Sequence, residues 1–323
     1  MRAQEMALKG EQQMAKYIIK RLLVLIPILL GVALIIFTIM DLTPGDPAVR
    51  ILGPESSIEA REQLREDLGL NQPFWVRFFD YIKNAFLKLD FGASYRTGKP
   101  VFDDIFKRLP VSIKVAFLGM LLATVMGLPL GVFSAVKQYS PADSFLRVAS
   151  TVLVAMPTFW LAMLLILVFA LYLGWLPAGG VFSWQSYILP TITVGVPYGS
   201  KVLRMTRSTM LEEIRQDYVR TARSKGVPEK KVIYGHALKN ALLPVITTIG
   251  SAFGAILGGS VIAESVFNLP GLGSLIVLSI KAKDTPSVLA SVLLLAVFFA
   301  LIMLVVDLVY AFIDPRIKAK YAK

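Results

Sequence analysis

The sequence predicts an all-α integral membrane protein with six transmembrane helices and both termini on the cytoplasmic side. Three observations carry that prediction. Of 323 residues, 55% are hydrophobic and only 17% are charged, against roughly a quarter charged in soluble globular chains. Charge-free runs of about the 20 residues needed to cross a ~30 Å hydrocarbon core recur along the chain. Lys and Arg collect in segments that these runs place on one side of a membrane. The net charge of +12 follows from that topology, so it does not by itself point to nucleic acid, and none is expected as a partner. With no Cys and a single His, His236, disulfide frameworks, thiolate zinc sites and multi-His metal centres within the chain are excluded.

The elements follow in order. Residues 1–21 form a cytoplasmic N-terminal segment, of which 1–13 are polar, with Met14-Ala15-Lys16 an equally natural start. Residues 22–40 form the first span; the run is longer than the 7 to 15 residues of a signal-peptide core, and no small-x-small cleavage site follows it. Residues 41–110 are extracytoplasmic. Residues 111–313 hold five further spans, at 115–136, 148–173, 187–204, 241–263 and 285–306, and include a cytoplasmic segment at 205–240; residues 314–323 are a cytoplasmic tail. The third and fourth spans divide an uncharged stretch from Val148 to Ser200 at the turn-rich Gly174 to Gly180. Pro190 and Pro197 interrupt the fourth, where neighbouring helices can satisfy the freed backbone groups.

Orientation follows from the cations. With the N-terminus inside, the cytoplasmic segments hold 21 Lys and Arg and the opposite side 12, ten of these between Asp41 and Pro110, where eleven acidic residues offset them. In that external segment Ser56-Ser57-Ile58-Glu59 has the form of a capping box, Gly69 marks a helix stop, and a second helix starts at Pro73. Phe74, Trp75, Phe78, Phe79 and Tyr81 fit either an interfacial anchor or the core of a small cap. Gly92 to Lys99 does not make a phosphate loop: the glycine spacing is one too long, and Pro100 stands where Ser or Thr is required.

Small residues recur every fourth position at Gly119, Ala123, Gly127, Gly131 and Ala135, and again at Gly250, Gly254 and Gly258. They form strips for close helix approach. Lys114, Glu264, Asp284 and Asp307 lie at the ends of spans. An ion-coupled secondary transporter, the alternative of another class, therefore lacks its usual mid-membrane carboxylate.

The cytoplasmic segment reads as a helix opened by the capping pattern Thr209-x-x-Glu212, with Glu212, Glu213 and Asp217 early, Arg220, Arg223 and Lys225 late, and Gly226 and Pro228 ending it. A second short helix begins at Pro228. Leu211, Ile214, Tyr218 and Thr221-Ala222 make an apolar stripe that needs either a protein partner or an anionic lipid surface.

The run Gln216-Asp217-Tyr218-Val219-Arg220-Thr221-Ala222-Arg223-Ser224-Lys225-Gly226-Val227, followed by His236-Ala237-Leu238-Lys239-Asn240-Ala241-Leu242-Leu243-Pro244, resembles the cytoplasmic coupling motif of membrane-spanning subunits of ATP-binding-cassette importers. Thr43 to Pro47, Asp90 to Ser94, Met156 to Trp160, Glu264 to Gly273 and Asp314-Pro315-Arg316 extend the resemblance over residues 14–318. It is nearest to the dipeptide, oligopeptide and nickel branch, and within that to the first, B-type subunit. Arg220-Thr221-Ala222 and the late Leu243-Pro244 depart from the wider importer pattern in the way this branch does, so the general motif's acidic contact is not carried onto Arg220.

The resemblance implies a type I importer permease fold in a prokaryotic cell membrane. It implies an ATP-driven importer in which this chain forms half of a path for di- or oligopeptides, with a nickel complex or an oligosaccharide as alternative cargo. The implied partners are a homologous second permease in a heterodimer, two cytoplasmic ATPases, an external substrate-binding protein and membrane lipid. The chain would be no enzyme and hold no cofactor or metal of its own, with ATP and Mg on the ATPases. Asp217, Tyr218, Thr221, Ala222, Arg223, Gly226, Lys230 and His236 would form the ATPase-coupling site, and Gly127, Gly131, Gly250, Gly254 and Gly258 would serve helix packing. The left-handed backbone needed between two helices accounts for Gly226 locally.

Overall fold

A computed structural model describes the backbone of residues 2–313 and the side chains of residues 18–306 and 308. The expected tail at 314–323, the Asp314-Pro315-Arg316 motif and the Asp307 side chain lie outside the described residues. The order is α1 (Arg2–Leu42), α2 (Pro47–Leu52), α3 (Ile58–Asp67), α4 (Phe74–Leu87), α5 (Val101–Val136), α6 (Pro141–Ala155) and α7 (Thr158–Leu165). A π-helical turn at Ile166–Tyr172 and a 3-10 turn at Trp184–Tyr187 lead to α8 (Ile188–Ile214), α9 (Asp217–Ser224) and α10 (Glu229–Lys231). A second π turn, Val232–Ala237, precedes α11 (Leu238–Val266), α12 (Leu272–Ala282) and α13 (Thr285–Ile313). The described residues form no named strand; their only β pairing is an isolated Ala93–Pro100 bridge.

Four helical stretches are long and apolar enough to cross a membrane: Ile18–Leu42, Val101–Val136, Glu229–Val266 and Thr285–Val306. The expected span at 148–173 is not one helix. Its chain bends by 105° between α6 and α7, because Pro157 forces Met156 out of the helical region to φ −72, ψ 125; taken as one broken span the pair makes a fifth. The expected span at 187–204 lies in α8, continuous through both prolines. Pro190 falls in the first turn, where an amide would have no helical partner, and Pro197 is accommodated inside. Lys201, Arg204 and Arg207 keep α8 from being apolar enough to count by composition.

The chain divides into two compact units, one centred on residues 113–269 and the other formed by residues 19–112 and 270–300. In the first, the strip of small residues on α5 is the seam against α8. A Cβ at Gly127 would lie 2.5 Å from the Gly199 carbonyl oxygen, and one at Gly131 would lie 2.5 Å from Thr206 Cβ and 2.7 Å from the Leu203 carbonyl oxygen. From the other side, a Cβ at Gly199 would meet Ala123 Cα at 3.1 Å. The strip on α11 is uneven: a Cβ at Gly250 would collide with the Val306 side chain, Gly254 is buried, and one at Gly258 would meet nothing within 4 Å. Gly131→Leu is therefore expected to cost about 1–3 kcal/mol through overpacking against backbone that cannot yield. Gly258→Leu should leave this chain's fold intact. Recovery of folded protein from detergent extracts checks both, and equal recovery would deny that the α5 seam is close-packed.

In the second unit Ser57, not Ser56, caps α3 by accepting from Ala60 N at 3.2 Å, so the helix starts one residue later than the Ser56-x-x-Glu59 pattern implied. Gly69 follows it with φ +65. The aromatics of α4 divide by face. Phe74, Phe78 and Tyr81 pack with Phe37 of α1, at ring-centroid distances of 5.3 Å and 5.6 Å for Phe74 and Phe78, in a core shared with Leu289 and Leu293. Trp75 and Phe79 remain 56% and 61% exposed, as an interfacial pair would be. Asp284 is buried before α13 and accepts from Ser94 Oγ (2.5 Å), Tyr95 N (3.0 Å) and Ser287 Oγ (2.7 Å). The loop around Gly92 and Gly98 thus closes on a carboxylate.

Candidate functional site

The segment expected to couple begins with a break. Thr209 caps nothing: it sits inside α8, where its hydroxyl donates to the Met205 and Thr206 carbonyls. Glu212 and Glu213 accordingly end that helix instead of opening the next. Helix α9 starts after Gln216, which is extended at φ −69, ψ 151. The interruption resets the helical phase, so the stripe read through Leu211, Ile214, Tyr218 and Thr221 is not one face. The buried side chains of α9 are Val219 and Ala222, while Tyr218 and Thr221 are exposed.

Those two residues seat α9 on a core with Val132 and Ala135 of α5, Met210 of α8, and Val232, Ile233, Ala237 and Ala241 further on. Gly226 turns the chain at φ +73, with Gly226 N donating to Arg223 O (2.9 Å) and Val227 N to Ala222 O (3.2 Å). This satisfies the last carbonyls of α9 as a Schellman-like end does. Pro228 then caps the single turn of α10. Arg223 brackets the turn, giving Nε and a terminal nitrogen to the two carboxylate oxygens of Glu229 at 3.1 and 2.7 Å. Tyr218 Oη donates to Glu213 at 2.5 Å across the α8–α9 break, and partial desolvation of the otherwise exposed ring, with this bond, raises its hydroxyl above the ordinary tyrosine value.

The structure therefore places Asp217, Tyr218, Thr221, Arg223, Gly226 and Lys230 on one exposed α9–α10 hairpin and Ala222 on its buried side. His236 lies apart in the π turn, half-buried. What results is an exposed turn on a buried apolar root. Among the described residues no group of three or more His, Cys, Asp and Glu could hold a metal ion.

One network beside this root was not foreseen. Asp143, in the first turn of α6, is fully buried and accepts from Ser134 Oγ (2.5 Å), Tyr139 N (3.0 Å) and both Nε (2.7 Å) and a terminal nitrogen (2.9 Å) of Arg207. It ties α5, α6 and α8 together. Its sequence signal was Ser140-x-x-Asp143, since Ser140 caps α6 by accepting from Asp143 N.

Residues 127–319 match the family described as binding-protein-dependent transport system inner membrane component, and residues 14–116 match its N-terminal membrane component. The chain belongs to this family. It is 43% identical over 307 residues to the glutathione transport system permease protein GsiC of Escherichia coli strain K12, a match covering 95% of this chain and all of the relative. The same identity holds to GsiC of Salmonella typhimurium strain LT2. A chain of the inward-facing MetNI methionine ABC transporter superimposes with a TM-score of 0.54 at 17% identity, covering 65% of this chain and 95% of that one, so the two share a fold. This binding-protein-dependent permease is thus a multi-pass inner-membrane subunit of an ABC importer in the dipeptide, oligopeptide and nickel branch. Family membership is that of a transport component and not of an enzyme.

Proposed function

We propose that the chain forms half of a translocation path for short peptides, paired with a homologous second permease as the B-type member. The 43% identity over 307 residues to permeases named for glutathione, a tripeptide, is the observation that carries the peptide reading. Four apolar helices, the bent α6–α7 pair and α8 support six crossings, an even number that leaves both termini on one side, and the Lys and Arg bias makes that side the cytoplasm. Of two ATPase subunits that carry the ATP and Mg, one would receive the hairpin from Tyr218 to Lys231 in a groove, and an external binding protein would deliver substrate on the opposite face. The apolar root of the hairpin supports this reading over a lipid-surface helix, because its apolar side is already covered by the chain's own core.

Reconstitution tests it. Proteoliposomes holding the permease with its ATPases and binding protein should accumulate glutathione when ATP is supplied, and not when only a proton or sodium gradient is imposed. Uptake driven by the gradient alone, by this chain without partners, would replace the importer reading with a secondary transporter. ATP-driven uptake of a nickel complex or an oligosaccharide in place of glutathione would correct the cargo.

A further inference from the structure

Helices α8 and α11 border an open groove of about 570 Å³. Tyr198, Lys201 and Met205 line it from α8, and Thr247, Thr248 and Ser251 from α11. Lys201 lies on α8, which runs from Ile188 to Ile214, about one helical turn before the cytoplasmic end of the span at 187–204. It is exposed, with Nζ 4.7 Å from the centre of the Tyr198 ring. Among the described residues no carboxylate pairs with it. Arg207, two turns on, is held by Asp143.

Lys201 thus lies in the last turn of the span, near its cytoplasmic end, where an ammonium is kept from acyl chains and turns to water or to an interior surface; here the surface beside it is the groove lined by Thr247, Thr248 and Ser251. The groove opposite adds oxygen. Thr247 and Thr248 spend their hydroxyl protons on the Leu243 (3.4 Å) and Pro244 (2.9 Å) carbonyls, which leaves their oxygens free to accept. The groove thus offers one cation and three ammonium N–H donors from α8, hydroxyl acceptors from α11, and an aromatic face between them. That set complements a carboxylate beside the amide and ammonium groups of a short peptide, and it disfavours a cationic cargo.

We propose that Lys201 is a specificity-determining residue of the path, its ammonium receiving a carboxylate of the passing peptide. The proposal rests on the peptide-importer reading. In the reconstituted complex Lys201→Gln should lower ATP-driven glutathione uptake at least tenfold, while Lys201→Arg keeps it within about threefold. In the otherwise cysteine-free chain, assembled with cysteine-free partners, Lys201→Cys should react with a water-soluble methanethiosulfonate in at least one nucleotide state and be protected during turnover with glutathione. Uptake by Lys201→Gln equal to the unsubstituted complex, or Lys201→Arg as defective as Lys201→Gln, would overturn the proposal. So would a thiol at position 201 that stays unreactive in every state, which would mean that lipid or protein covers the groove. Failure of the peptide reading is seen separately, as absence of ATP-driven glutathione uptake with the unsubstituted chain, and the thiol reactivity still decides whether position 201 faces water.

Discussion

Gly226→Val is expected to stop uptake while leaving the binding protein able to dock. The position lies at φ +73, and the space where a Cβ would project is empty for 4 Å, so the substitution acts through backbone conformation and not through a clash. Holding a β-branched residue there costs on the order of 1–3 kcal/mol, which the chain can relieve only by opening the turn and re-aiming α10. Substrate-stimulated ATP hydrolysis should fall towards its unstimulated rate in reconstituted membranes. Charge reversal at Lys230 and Lys231 should do less, whereas a helix resting on anionic lipid would lose roughly 1 kcal/mol per charge. Full stimulation in Gly226→Val, with loss confined to the lysine reversal, would remove the coupling assignment.

Asp143→Ala should be the most destabilising single change outside the turn. It leaves the guanidinium of Arg207, itself only 17% exposed, without its carboxylate, and it strips Ser134 Oγ and Tyr139 N of their acceptor. Breaking one side of a buried ion pair costs about 3–5 kcal/mol. Asp143→Asn keeps an acceptor oxygen and should fall between the alanine variant and the unsubstituted chain. Denaturation of the detergent-solubilised chain checks this; an alanine variant within about 1 kcal/mol of the parent would mean that solvent reaches the pair.

The apolar runs were legible because crossing a membrane imposes a length that composition alone reveals, and four of them coincide with helices in the structure. What failed did so where geometry depends on a single backbone angle. The uncharged run from Val148 read as continuous, yet Met156 before Pro157 bends it by 105°. Thr209-x-x-Glu212 has the spacing of a cap, yet the helix does not end before it, because α8 carries its buried face on through Thr206, Thr209 and Met210. The α5 seam was readable, since only small residues recur there; its partner on α8 was not, because Gly195 and Gly199 are set among larger residues and two prolines. Asp143 escaped notice for another reason. Buried carboxylates look like surface ones until the cation 64 positions away is brought beside them.

The seating of α9 has a mechanical consequence. Protein interiors pack as densely as organic crystals and compress little, so a displacement imposed on the Gly226 turn is not absorbed at Val219 and Ala222. It is handed to Val132, Ala135 and Met210, and from there along a seam where Gly127 and Gly131 bring the α5 backbone against the Gly199 and Leu203 carbonyls of α8. A push on α9 is therefore passed to the α5–α8 pair through that shared core, and the chain leaves the helical path only at the extended Gln216, the Gly226 turn and the π turn at Val232–Ala237.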